Sequence, residues 1–342
     1  MRCILCTSEG NESMKNIAVL ATGGTIAGVS PSATDTTGYR SAILTVDDII
    51  SQITPLKTIA NITSEQFVQL DSADMTHEVW LELARRVSSL LEREDVDGVV
   101  VTHGTDTLEE TAYFLNLVVN SEKPVVLVGA MRPSTSLSCD GPMNLYNAVI
   151  LASSPQAWGK GVLVTLNDTI HCSREVTKTN TALQDTFKTP DVGNFGYVVD
   201  GTPYFYRMPI RKHTYMTSFP IEKINELPQV DIIYGHVNDR GTLACAAAEA
   251  GAKGLVYAGL GNGNMSKHMK DVLGGIQKQG VVVVRSTRVG SGVVTRNGAV
   301  DDDQYRFIAA DNLNPQKARI LLMLALTQTA SLEEIQAIFW EY

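Results

Sequence analysis

Two threonines stand in the same setting at two places in this chain. The apolar run Ile17-Ala18-Val19-Leu20-Ala21-Thr22 stops at Gly23-Gly24, and Thr25-Ile26-Ala27-Gly28 follow. The run Gly98-Val99-Val100-Val101-Thr102 stops at His103-Gly104, and Thr105-Asp106-Thr107 follow. Each reads as a buried strand, then a tight turn that exposes a hydroxyl at the strand's carboxyl end. In open α/β sheets that edge is where ligands bind. The chemistry open to such a hydroxyl is nucleophilic, but its pKa lies far above neutral, so it needs a base and an oxyanion site. Asp106 brings a carboxylate with the second threonine. A third stretch, Asp168-Thr169-Ile170 and then Arg174-Glu175-Val176-Thr177-Lys178-Thr179-Asn180, also follows an apolar run and offers an amine. Lys178 reads either as a surface lysine or as one buried against Asp106, where a lysine acts as a base once its proton is partly given up. Taken alone, Asp106 also reads as help at a helix N-terminus and His103 as a structural histidine. The repetition of strand, glycine turn and threonine favours the chemical reading.

The elements that must position these groups are legible as an alternation. Continuous apolar runs at 17–22, 98–102, 124–130 and 161–166 fit parallel strands covered on both faces. Helical patterns lie between them at 76–93, opening at Thr76, at 107–120, with Thr107 and Glu110 as a capping box, and at 141–153. This predicts a doubly wound α/β domain over residues 14–206. Residues 202–228 hold four prolines, many aromatics and little helical period, and a linker is expected at 207–228. A smaller α/β domain is expected over 229–342, with strands at 230–234, 254–260 and 280–285 and helices at 241–251, 265–279, 315–329 and 331–339. Asn314-Pro315 is a helix entry, and Ser331 with Glu334 a second capping box.

Composition sets the outer bounds. The 342 residues are 44% hydrophobic and 19% charged, which calls for a packed core rather than disorder. A formal net charge of -9 argues against a partner held through nucleic-acid phosphates. No apolar run reaches the roughly 20 residues that span a bilayer. Residues 1–13 are polar, have no apolar core of a secretory signal, and read as a leader or a non-native tail. Five cysteines (Cys3, Cys6, Cys139, Cys172, Cys245) make an odd count and suggest reduced thiols and a cytoplasmic setting. The glycines lack both the G-x-G-x-x-G and the Walker spacing, and no His, Cys and Asp set has metal-ligand spacing. No cofactor and no metal are therefore expected.

Ala21-Thr22-Gly23-Gly24-Thr25-Ile26-Ala27-Gly28 with Thr102-His103-Gly104-Thr105-Asp106-Thr107 resembles the bacterial L-asparaginase family. Gly129-Ala130-Met131-Arg132-Pro133, Asp140-Gly141-Pro142-Met143-Asn144, Gly261-Asn262-Gly263-Asn264 and Asn314-Pro315-Gln316-Lys317-Ala318-Arg319 extend the likeness. It runs from about residue 16 to the end and is greatest to the type II branch, which includes glutaminase-asparaginases. The resemblance implies a two-domain asparaginase-like fold and hydrolysis of asparagine to aspartate and ammonia, with possible glutaminase side activity. It also implies a threonine acyl-enzyme. Thr25 would attack, Tyr39 on a flap would polarise it, and Thr105, Asp106 and Lys178 would orient and deprotonate. Ser72 and Asp106 would hold the substrate's α-groups, and the Ala130 carbonyl would receive the amide nitrogen. Asn264 would enter from a neighbouring subunit of a homotetramer built of intimate dimers.

Three departures stand out. Ala73 follows Ser72 where many relatives have Gln or Glu, and Ala299 aligns with a Glu that many contribute across the dimer. Ser121 replaces one half of a disulfide found in some secreted members, so the cytoplasm is the expected location and the periplasm the alternative. Two other readings share the motifs. One is the ammonia-releasing subunit of a tRNA-dependent amidotransferase, which calls for an extra N-terminal domain and a basic surface that this sequence does not show. The other is a non-catalytic amino-acid sensor on the same fold.

Overall fold

The computed structural model describes residues 14–342. The expected leader or tail and the Cys3 and Cys6 pair lie outside the described residues. The first half of the chain builds β1 (Lys15–Gly23), α1 (Val46–Ser51), β2 (Ala60–Leu70), α2 (His77–Leu91), β3 (Gly98–Thr102), α3 (Leu108–Val118), β4 (Val125–Val128), α4 (Gly141–Ser153) and β5 (Val162–Leu166). These are followed by β6 (Thr169–Cys172), β7 (Thr177–Lys178), β8 (Phe187–Lys188), β9 (Gly196–Val199) and β10 (Thr202–Phe205). The main sheet runs β10-β9-β6-β5-β4-β3-β1-β2.

The apolar runs are continuous because successive residues feed two cores. Ile17, Val19, Val100, Val126, Val128 and Leu163 point to one side, under α1 and α4. Ala18, Leu20, Val99, Val101, Leu127 and Val164 point to the other, under α2 and α3. Strands β2, β1, β3, β4 and β5 are parallel. From β1 the chain crosses outward to β2, then back over to β3 on the other side. The order 2-1-3-4-5 therefore reverses between β1 and β3, and the crevice outside their carboxyl ends is a topological switch point. Thr25 and Thr105 follow those two strands.

Several elements differ from expectation. β2 was not anticipated, because its exposed edge position tolerates Asn61, Thr63, Ser64 and Glu65 and erases the apolar signal. Residues 202–205 form β10, paired antiparallel with β9, rather than featureless chain. The Thr107 and Glu110 capping box is not formed. The Thr107 hydroxyl instead donates to the Ser72 carbonyl at 2.8 Å, so α3 starts without a side-chain cap. Only half of the Ser331 box exists: Ser331 Oγ accepts from the Glu334 amide, while the Glu334 carboxylate takes the Thr329 hydroxyl.

The second half forms a four-stranded parallel sheet, β11 (Val230–Tyr234), β12 (Gly254–Gly259), β13 (Val282–Thr287) and β14 (Ile308–Ala309). Its helices are α5 (Thr242–Glu249), α6 (Lys267–Lys278), α7 (Asp302–Tyr305), α8 (Pro315–Leu326) and α9 (Leu332–Glu341). Asn314 caps α8 by accepting from the Lys317 amide. One face of this smaller sheet meets α5 and α6, and the other meets α8 and α9. Helix α8 also packs on α3, so the two sheets share one apolar cluster. Among the described residues no helix is long and apolar enough to cross a membrane.

The carboxyl ends of β1 and β3 meet backbone to backbone. Gly24 sits at φ +79°, and a Cβ there would overlap the Cα and N of Gly104. Gly24→Ala is expected to cost at least about 2 kcal/mol, through left-handed strain plus the forced separation of β1 and β3. A urea-unfolding midpoint equal to that of the unsubstituted protein contradicts this packing.

Candidate active site

Thr25 opens a single 3-10 turn, Thr25–Ala27, at the end of β1, and it is 95% shielded from solvent. Its Oγ1 lies 2.6 Å from the hydroxyl of Tyr39. Tyr39 arrives on an excursion of the chain that leaves after Gly28 and returns along it. Val29 and Arg40 pair antiparallel, Ala42 N donates to Gly24 O at 3.1 Å, and the amides of Ile43 and Leu44 both donate to Ala27 O. Burial raises the Tyr39 pKa, and the charges of Asp106 and Asp71 add to that, while the Thr25 hydrogen bond opposes it. Tyr39 is a neutral phenol near pH 7, so it acts on Thr25 through a hydrogen bond and not as a phenolate.

Lys178 lies on β7 with its side chain mostly covered. Its Nζ donates to Thr105 Oγ1 at 3.0 Å and to Asp106 Oδ1 at 2.6 Å. Of the two sequence readings, the lysine against Asp106 is the one the fold adopts, and the Asp106 carboxylate is directed to that amine. β7 is short and needs outside support. The Thr177 hydroxyl donates to Glu109 Oε1 at 3.0 Å. Glu109, buried on the first turn of α3, also accepts from Asn314 at 3.0 Å and Gln316 at 3.2 Å. The buried Lys317 donates to the carbonyls of Arg174 and Val176. Burial lowers the Lys317 pKa, which the nearby Glu109 carboxylate partly offsets. Sequence reasoning missed Glu109 and Lys317, because an acid in a helix's first turn has an ordinary explanation.

His103 is structural. Trp80 Nε1 donates to Thr111 Oγ1 at 2.8 Å, Thr111 Oγ1 lies 2.9 Å from His103 Nε2, and His103 Nδ1 lies 2.7 Å from the Gly104 carbonyl. The indole only donates and the carbonyl only accepts. Thr111 therefore donates to Nε2 and the ring proton sits on Nδ1. Burial lowers the His103 pKa to about 4.

The remaining expected residues divide. Ser72 is buried on a 3-10 turn after β2, and a Cβ on Gly104 would lie 2.7 Å from its Oγ. Ala130 is fully buried just after β4, and a Cβ on Gly129 would meet the Thr105 methyl at 3.1 Å. The Asp140 carboxylate fixes that turn by accepting from the amides of Met131 and Arg132. Tyr39 is thus bonded to Thr25, Lys178 to Thr105 and Asp106, while Ser72 lies against Gly104 and Ala130 follows the glycine that faces Thr105. Asn264 is not brought to these groups by its own chain: it is exposed beyond β12, bonded to Leu260 and Met265 of its own loop. Ala73 and Ala299 are both exposed.

A doubly wound α/β protein with a buried hydroxyl pair at its switch point is the class that this fold and crevice define. The family model described as Asparaginase, N-terminal matches residues 16–211, and that described as Glutaminase/Asparaginase C-terminal domain matches residues 229–339. The chain belongs to the asparaginase family. It is 53% identical to L-asparaginase 2 of Bacillus subtilis over 98% of this chain and 89% of that protein. It is 47% identical to the glutaminase-asparaginase of Pseudomonas fluorescens over 98% of this chain and 92% of that one. The crystal structure of a probable cytoplasmic L-asparaginase from Campylobacter jejuni superposes with a TM-score of 0.93 at 49% identity, covering 96% of this chain and 100% of that one.

Four histidines are held below their usual range by burial: His103 and His213 to about 4, His171 to about 3, and His77, where the neighbouring Arg319 charge adds to the effect. Each binds its proton more readily when unfolded. Their stabilising effect is complete above an unfolded pKa of about 6.5 and is lost as pH falls toward 4. Glu110, pushed up to about 7 by burial, contributes with the opposite sign. Four groups against one predict a lower unfolding midpoint at pH 5 than at pH 7. A higher midpoint at pH 5 contradicts the neutral histidines.

Proposed function

We propose that this protein hydrolyses L-asparagine to L-aspartate and ammonia through an acyl-enzyme on Thr25, with L-glutamine as a slower second substrate. The observation that carries the reading is the pair of bonded groups at the switch point. These are Thr25 against Tyr39 at 2.6 Å and Lys178 against Thr105 and Asp106 at 3.0 and 2.6 Å. In the first half-reaction Thr25 Oγ1 bonds to the side-chain amide carbon. Tyr39 orients and polarises the attacking hydroxyl, and its proton passes into the hydrogen-bonded groups. The C–N bond breaks, and the leaving nitrogen takes up the proton given up by Thr25 and departs as ammonia. Water then adds to the ester, activated by the Thr105, Asp106 and Lys178 group. Aspartate leaves and Thr25 regains its proton.

Ser72 and Asp106 face the crevice from two sides and hold the substrate's α-carboxylate and α-ammonium groups. The Ala130 carbonyl accepts from the amide nitrogen. Asn264, exposed at the far end of the smaller sheet, completes the site of a second copy, which calls for a homotetramer of intimate dimers. In this reading residues 14–206 form the catalytic domain, 207–228 the connection and 229–342 the domain that lends Asn264. Glutaminase-asparaginase of broad specificity is the second reading, favoured by identities of 49% and 48% to relatives of the two names.

Ammonia release from L-asparagine and L-glutamine, measured side by side from micromolar to millimolar substrate, tests the assignment. Asparagine turning over well ahead of glutamine is expected, comparable rates point to the second reading, and turnover of neither contradicts both. Thr25→Ala is expected to lower kcat by about a thousandfold or more with an unchanged melting temperature, the size expected for a covalent catalyst. Turnover much above a thousandth of the unsubstituted rate removes Thr25 as nucleophile. Lys178→Met is expected to lower kcat strongly with little change in KM, and an unchanged kcat makes Lys178 structural only.

A further inference from the structure

The Asp71 carboxylate joins two parts of the site. Its Oδ1 accepts from the Ala73 amide at 3.0 Å and so caps the 3-10 turn Ser72–Asp74. Its Oδ2 accepts from the Ser41 hydroxyl at 2.7 Å. Ser41 lies two residues after Tyr39, on the returning limb of the excursion that carries the phenol to Thr25. Those two hydrogen bonds, the Ala73 amide first, hold the Asp71 carboxyl below its usual range. Asp71 is also close enough to the crevice for its charge to act on Tyr39 and to feel Lys178.

The limb needs such a fastening. Ala42, next to Ser41, has φ +53°, a left-handed conformation that an alanine adopts at a cost. Hydrogen bonds to its backbone hold that residue from the body side: Ala42 N donates to Gly24 O, and the Gln69 side-chain Nε2 donates to Ala42 O at 2.8 Å. On the other side, residues 31–34 and 37–38 have little cover. Between the strained residue and Tyr39, the Ser41 hydroxyl bond to Asp71 joins the limb to the turn that presents Ser72.

We propose that Asp71 is a positioning residue that couples the Ser72 turn to Tyr39: one oxygen sets the substrate-binding turn and the other latches the flap through Ser41. This deepens the reading above and rests on it. Substrate held by Ser72 stiffens the turn that Asp71 caps. The same carboxylate then keeps the limb where the phenol meets Thr25. Ser41→Ala removes the latch and leaves the cap, whereas Asp71→Ala removes both.

The test is a cycle in kcat and KM for L-asparagine with Ser41→Ala, Asp71→Ala, Tyr39→Phe and the double variant Ser41→Ala with Tyr39→Phe. Ser41→Ala is expected to lower kcat about tenfold, the equivalent of one hydrogen bond to a charged group, with KM within about twofold. Asp71→Ala is expected to lower kcat and raise KM together. Ser41→Thr, which keeps the hydroxyl, restores kcat. In the Tyr39→Phe background Ser41→Ala is expected to change kcat less than about twofold, because the latch acts through the phenol. An undiminished effect of Ser41→Ala in that background, or none in the unsubstituted protein, overturns the latch while Tyr39→Phe and Thr25→Ala still show their losses. If those two controls retain full turnover, the active-site reading fails first and the latch with it.

Discussion

The site depends on a contact between two backbones. Gly24 and Gly104 face each other at the carboxyl ends of β1 and β3, with no room for a Cβ between them. Because the strand order reverses between those two strands, no crossover helix roofs that edge. The approach of the glycines then brings the residues after them, Thr25 and Thr105, to the same crevice. The Thr22 hydroxyl, donating to the Thr102 carbonyl at 2.9 Å, ties the strand ends just below. Ser72 fits against Gly104, and the turn holding Ala130 fits against Thr105 through Gly129.

Around this contact, burial decides which groups carry charge. His103, inside the second threonine motif, is kept neutral and serves to hold the Gly104 carbonyl through a chain that starts at Trp80. Tyr39 is kept as a phenol. The charged partners come from elsewhere, with Lys178 meeting Asp106 at the crevice and Glu109 and Lys317 supporting the strand that carries Lys178. Helix α8 of the smaller sheet thus helps to place an amine in the larger one, which gives the two halves of the chain a shared part in the site.

The parallel strands and their helices were legible because both faces are covered, so each strand is a plain apolar run. β2, β6, β9 and β10 were not, since edge and antiparallel strands mix polar and apolar residues. Thr25, Thr105 and Asp106 could be found from the repeated strand and glycine turn. Tyr39, Ser72 and Asn264 came only through resemblance, because they lie in loops where no period marks them. Glu109 left no signal at all: one of its partners, Gln316, lies 207 positions away, and only the fold shows that the two meet. The Thr107 box failed for a related reason, since Ser72, 35 positions earlier, competes for the same hydroxyl.

The central claim is that the hydroxyl of Thr25, and not that of Thr105, forms the covalent bond. The direct measurement is to quench the enzyme in acid during turnover of L-asparagine and map the ester by peptide mass spectrometry. The account predicts an aspartyl ester on the peptide that carries Thr25, lost in Thr25→Ala. An ester on the Thr105 peptide, or ammonia release with no ester on either, contradicts it.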